Sequence, residues 1–194
     1  MFIGVIDGIG TIEQTEPEVV VIVDSSLSTD VETGSHIAVN GVVLRVLSKE
    51  SSPKGDRLKF YPSNLNQSKN YIPLQRVNLE KALRLGEEIP GTIFYGIPTV
   101  SIELISKALR TDGSLTVKAS FKHDFINYLS VTDQVCVDGA LLQIVDIDDR
   151  ILSFRLYPST LETTNLQNRQ VGEKLNIELD LFTLKLAKVL KKVT

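Results

Sequence analysis

The feature that most constrains this chain is an internal repeat. FYPSNLNQS begins at Phe60 and LYPSTLETT at Leu156, so Tyr61 and Tyr157 stand 96 positions apart in a chain of 194. The match extends outward from that phrase. VNGVVLRVL at Val39–Leu47 pairs with VDGALLQIV at Val137–Val145, and VNLE at Val77–Glu80 pairs with LNIE at Leu175–Glu178, both at an offset of 98. MFIG at the start has a fainter echo in IFYG, which places Gly4 against Gly96. Blocks in the same order at nearly constant offset imply a duplicated unit. The division is into residues 1–90, residues 91–180 and a tail, 181–194.

Each half reads as all-β. Val19–Val23 is a β-branched run, and Ile37–Leu47 alternates around Asn40-Gly41, a pair suited to a tight type I′ hairpin. Asp138-Gly139 offers the same turn in the second half, and Leu115, Val117, Ala119 and Phe121 share one face of another alternating segment. Short strands at close spacing predict a small barrel or sandwich. Ser159 followed three residues later by Glu162 predicts a capping box opening a short helix. The first-half copy has Asn66 at the Glu position, so its cap is weaker.

The tail changes period. Phe182, Leu186, Val189 and Val193 fall on one helical stripe, with Lys185, Lys188, Lys191 and Lys192 beside it. Such a stripe either packs on its own domain or forms a self-association seam. Asp180, just before it, reads as the helix N-cap. Net charge is −3, which does not favour nucleic acid. A single cysteine, Cys136, makes no disulfide framework, so a reducing, cytoplasmic setting is expected. Cys136 sits in an apolar strand and reads as core; His36 and His123 lie among polar residues and read as solvated. The start carries no secretory pattern, no apolar run is long enough to span a bilayer, and no metal-spaced His/Cys cluster is present.

Taken together, MFIGVI, VNGVVL, VNLEKAL, EIPG, VDGALL, YPSTLETTNL and VGEKLNIELD resemble the riboflavin synthase family, which includes the lumazine proteins. The blocks run in family order over essentially the whole chain. The resemblance implies two tandem six-stranded Greek-key β-barrels with a C-terminal α-helix, and a homotrimer held by that helix. It implies dismutation of two 6,7-dimethyl-8-ribityllumazine molecules into riboflavin and a pyrimidinedione, without an added cofactor, between the N-barrel of one subunit and the C-barrel of another. Lumazine proteins keep the fold and bind the chromophore without catalysing. Riboflavin, FMN or 6,7-dimethyl-8-ribityllumazine are the expected ligands.

The ligand-binding positions this resemblance implies are Gly4, Val5, Val43, Arg45, Asn64, Ser68, Ile97, Gln143, Thr160, Thr163 and Thr164. Asp180 falls at a position linked to the chemistry in the family. Several of these residues depart from the family pattern. Ile3 replaces a threonine, and Val42, Val43, Leu44 and Arg45 replace a Cys-Cys/Ser-Leu-Thr stretch. Thr92 and Ile97 stand at two histidine positions, and Leu141 replaces a serine. Hydroxyls, a thiol and histidines have become mostly aliphatic. A ribityllumazine brings many polar groups, each costing roughly 1–3 kcal/mol if left unpaired, and proton transfer from its C7 methyl needs a positioned acid or base. The expectation is therefore a catalytically impaired homologue that binds a flavin-like ligand or none. The alternatives are a working synthase using backbone groups and the surviving threonines, and an interaction protein on the same scaffold. The Tyr-Pro-Ser phrase keeps its threonines only in the second half.

Overall fold

The computed structural model describes residues 1–61, 71–89 and 91–193, with side chains at 187, 188 and 191–193 excepted. Twelve strands form two closed antiparallel barrels. The first holds β1 (Gly8–Gln14), β2 (Val19–Val23), β3 (His36–Val39), β4 (Val42–Ser52), β5 (Gly55–Tyr61) and β6 (Arg76–Lys81). The second holds β7 (Val100–Leu109), β8 (Leu115–Ser120), β9 (Gln134–Val137), β10 (Ala140–Asp148), β11 (Ile151–Leu156) and β12 (Lys174–Leu179). Around the first barrel the order is β1-β2-β5-β4-β3-β6, and the second repeats it six strands later. This is the Greek-key path, and closure leaves no sheet edge to aggregate.

The repeat holds in detail. The β4–β5 ladder slips between Val46 and Ser48, and β10–β11 slips at the equivalent Ile144 and Asp146. The β1–β2 slip at Ile12 and Gln14 recurs in β7–β8 at Leu104 and Ser106. Such bulges add the local bend that closing a small barrel requires. Inward residues fill each interior. Val21, Leu44, Leu58, Phe60 and Leu79 are fully buried in the first barrel, as are Ile144, Leu152, Phe154 and Ile177 in the second.

Both hairpins turn as the sequence requires. Asn40 and Gly41 have φ of 45° and 76°, and Asp138 and Gly139 have 45° and 85°, the left-handed pair of a type I′ turn. The two turns also meet. A Cβ on Gly41 would lie 2.9 Å from the Gly139 nitrogen, and one on Gly139 would lie 3.0 Å from the Gly41 nitrogen. A buried polar cluster surrounds this contact. Asn78 N donates to Asn40 Oδ1 and Asn176 N to Asp138 Oδ1, each at 2.8 Å. Across the barrels, Asn78 Nδ2 donates to Asp138 O (2.8 Å) and Asn176 Nδ2 to Asn40 O (3.0 Å). Asn165 ties the second barrel further to the first, its amide reaching Asn78 Oδ1 at 2.6 Å and its side chain Arg76 O at 2.7 Å. Arg169 lies 3.0 Å from the fully buried Asp138. Burial lifts that carboxyl to about 6, with the guanidinium pulling the other way.

Helix α1 (Pro158–Thr163) corrects one expectation: there is no capping box. The helix begins at Pro158, its N-cap is Tyr157, and no side chain caps it. Proline is pre-set for the first helical position, so it starts the helix before Ser159 can serve as the cap. The weaker first-half copy lies outside the described residues. Helix α2 (Leu181–Val193) is capped as expected, with Thr183 N donating to Asp180 Oδ1 at 2.9 Å. Its stripe does not pack on its own barrel: Phe182 is 78% exposed and Leu186 and Val189 are about half exposed, while Leu184 packs on the second core. Cys136 is core, and burial pushes its thiol up. His36 and His123 are exposed, and His123 Nδ1 accepts from Phe125 N at 3.2 Å, capping a short 3-10 turn. No helix among the described residues is long and apolar enough to cross a membrane.

Candidate functional site

The segments that lead into the two barrels run between them, each bonded to its own barrel and to the other. Phe2 and Phe94 bridge one another, with N–H···O bonds of 2.9 and 2.8 Å. Beyond that bridge the first segment lies on the second barrel, where Leu141 N donates to Gly4 O at 2.9 Å. The second segment lies on the first barrel, where Val43 N donates to Gly96 O at 2.7 Å. Phe2, Ala38, Phe94 and Cys136 form a small apolar core between the barrels. Both glycines need a positive φ, 75° and 71°, and a Cβ there would meet Leu141 at 2.6 Å or Val43 at 2.8 Å.

A buried glutamate anchors each segment. Glu80 Oε1 accepts from Ile3 N (2.6 Å) and Gly4 N (3.0 Å). Glu178 accepts from Tyr95 N (2.8 Å), Gly96 N (3.1 Å) and Ile97 N (3.2 Å). Burial raises both carboxyls to about 7, against the pull of those amides. Glu178 is fully committed to its amides. Glu80 Oε2 is buried with no hydrogen-bond partner among the described residues, and Glu80 lines a cavity of about 190 Å³ with Ile3, Val5, Lys81 and Arg84.

The outer face of the first barrel beside the Gly96 segment is the candidate binding surface. On β4, Val42, Leu44 and Val46 point into the core, so Val43, Arg45 and Leu47 point out. Arg45 stands in register with His36 on one side and Tyr61 on the other. Tyr61 is 63% exposed and Ile97, next to the Gly96 carbonyl that Val43 holds, is 58% exposed. An exposed tyrosine and isoleucine beside a half-buried valine form an apolar platform, and Arg45 is the cation in register with the tyrosine.

The implied site residues thus divide. Val43, Arg45 and Ile97 come together on the first barrel. Gly4 is a backbone junction, and Val5 opens onto the cavity beside Glu80. On the second barrel, Gln143 Nε2 is tied to Thr132 O at 3.2 Å. Thr163 and Thr164 spend their hydroxyls on the carbonyls of Ser159 (2.9 Å) and Thr160 (2.7 Å), and Thr164 is buried. Thr160 is half-buried in the same helix. Asp180 is the helix cap already described. Asn64 and Ser68 lie outside the described residues. Sequence reading passed over Glu80 and Glu178, though the signal was there: an ionisable residue repeated at the same place in two otherwise apolar strand ends.

Fold and surface define a tandem-barrel protein in which backbone-lined segments run between two equivalent barrels. Residues 99–180 match the lumazine binding domain model. The chain is 30% identical over 190 residues to the riboflavin synthase of Actinobacillus pleuropneumoniae, covering 93% of this chain and 86% of that one. It is 29% identical over 196 residues to the riboflavin synthase of Photobacterium leiognathi, covering 98% and 89%. Its fold matches LumP complexed with 6,7-dimethyl-8-(1'-D-ribityl) lumazine at a TM-score of 0.80 and 21% identity, over 92% of this chain and 99% of that one. LumP complexed with riboflavin matches at 0.80 and 23%, with the same coverage. This chain belongs to the riboflavin synthase family.

Proposed function

We propose that this protein is a binding member of its family, taking a flavin or a ribityllumazine on the first barrel without turning it over. The observation that carries the reading is the chemistry of the Val43–Arg45–Tyr61–Ile97 surface. Its apolar groups suit a flat fused ring, for which aromatic stacking and burial supply the affinity. The related LumP structures, complexed with the lumazine, riboflavin and flavin mononucleotide, supply the ligand class. Glu178, the carboxyl nearest this surface, is held by three amides, which leaves the exposed His36 and Tyr61, in register with Arg45, as the described groups there that a proton transfer would have to use. Self-association through α2 belongs to the same reading: a trimer that covers Phe182, Leu186 and Val189 accounts for their exposure in the single chain.

The test is to mix the protein with 6,7-dimethyl-8-ribityllumazine and follow its fluorescence. Saturable binding with no riboflavin formed is expected. Steady riboflavin production at an enzyme-like rate would overturn the reading. One observation favours a working synthase instead: Glu80, poised near neutral pH with one oxygen unpartnered, lines the cavity with Val5. Under that alternative, turnover disappears in Glu80→Gln.

A further inference from the structure

The geometry points to Arg45 as a selector for the phosphorylated form of the ligand, so that the first barrel prefers FMN to riboflavin. This rests on the flavin-binding reading above and names which flavin. Arg57, Arg84, Arg150, Arg155 and Arg169 each face a carboxylate. The Arg45 side chain has no hydrogen bond or ion pair among the described residues, and it is exposed. The side chains of Arg76 and Arg110 likewise have no partner among the described residues, but neither stands in register with an exposed aromatic. Arg45 does: Tyr61 is its direct partner across β4–β5, which sets their Cβ atoms roughly 5 Å apart.

The two barrels provide an internal control. The residue equivalent to Arg45 is Gln143, a neutral amide spent on the Thr132 carbonyl. The corresponding place beside Arg45 is Gly34, and a Cβ there would lie 3.6 Å from the guanidinium, so the arginine leans over the same turn. It does so with its five donors unspent among the described residues. Val43 lies two residues along the strand from Arg45, roughly 7 Å away on the same face. A ring resting on Val43, Tyr61 and Ile97 therefore leaves a polyol arm's length to the guanidinium. A planar fork of donors on a charge that cannot be removed matches a phosphate better than any uncharged ribityl hydroxyl. In a protein of net charge −3, an arginine that no described carboxylate neutralises, beside an apolar platform, favours an anionic ligand there.

The experiment is a fluorescence titration of the full chain with FMN and with riboflavin, repeated for Arg45→Gln and Arg45→Lys. A charge-assisted contact predicts FMN binding tighter than riboflavin by about 10-fold at low salt, with the gap shrinking as salt rises. In Arg45→Gln, which copies the second barrel, the ratio falls to near one; Arg45→Lys keeps part of it. Equal affinities for the two flavins in the unaltered protein overturn the assignment while leaving flavin binding in place. So does a preference that persists in Arg45→Gln. Failure of both flavins to bind overturns the binding function itself, and this assignment with it.

Discussion

The contact between the two hairpin turns makes a sharp prediction through Gly41→Ala. At φ +76° an alanine costs about 1–2 kcal/mol in backbone strain alone. Its Cβ would also sit 2.9 Å from the Gly139 nitrogen and 3.3 Å from its Cα, both backbone atoms of a tight turn that cannot swing aside. Forced overpacking of this kind adds about 1–3 kcal/mol. Gly172→Ala isolates the first part: its φ is +91°, yet nothing lies within 4 Å of the new methyl. The difference between the two variants, roughly 2 kcal/mol, measures the clash. For a chain of this size it corresponds to a Tm about 4–8 °C lower for Gly41→Ala than for Gly172→Ala, read by circular dichroism melts. Gly139→Ala should behave like Gly41→Ala, because its methyl would meet the Gly41 nitrogen at 3.0 Å. If Gly41→Ala melts no lower than Gly172→Ala, the barrels do not touch through these turns and the account of their docking fails.

Other measurements bear on the same structure. Glu80 and Glu178 titrate near 7 when folded but near 4.5 when unfolded, so the folded state holds more protons between those values. Their contribution is fully favourable below pH 4.5 and is lost as pH rises through 7, on the order of 3 kcal/mol each. Urea midpoints should accordingly fall from pH 5 to pH 8, and Glu178→Gln should flatten the decline; an unchanged slope in the variant would remove Glu178 from the explanation. Asn165→Leu strips the bonds to Asn78 Oδ1's neighbours Asn40 Oδ1 (3.1 Å) and Arg76 O, and a loss of about 1–3 kcal/mol is expected by denaturant unfolding. Ending the chain at Asp180 should reduce the particle mass in light scattering to that of one chain; an unaltered mass would show that α2 holds no copies together.

Much of this fold was legible because its determinants are local. Asn40-Gly41 and Asp138-Gly139 name their turn type by themselves, the β-branched runs name strands, and Asp180 before a four-three-four stripe names a capped helix. The repeat then said that the two halves share one topology, and the family resemblance supplied the Greek-key path itself. The capping box failed for an equally local reason, the proline that precedes Ser159. What could not be read was pairing between distant segments. The echo of MFIG in IFYG showed that two segments are equivalent, but nothing in either says that each runs between the barrels. The repeat marked Glu80 and Glu178 as equivalent, yet that each holds the amides of its own half's leading segment shows only in the fold. The candidate site was half legible. Val43, Arg45 and Ile97 do converge, but Tyr61, in the very phrase that exposed the repeat, gained its place only through the β4–β5 register.

Each leading segment is held by a glutamate of its own barrel and offers its glycine carbonyl to the other, in matching places. Two separate copies of a half-length chain could make the same contacts between themselves, segment for segment, with true rather than approximate symmetry. The present molecule has the form such a pair would leave once the end of one copy was joined to the start of the next. Joining freed the halves to diverge, and Arg45 opposite Gln143 shows where they did.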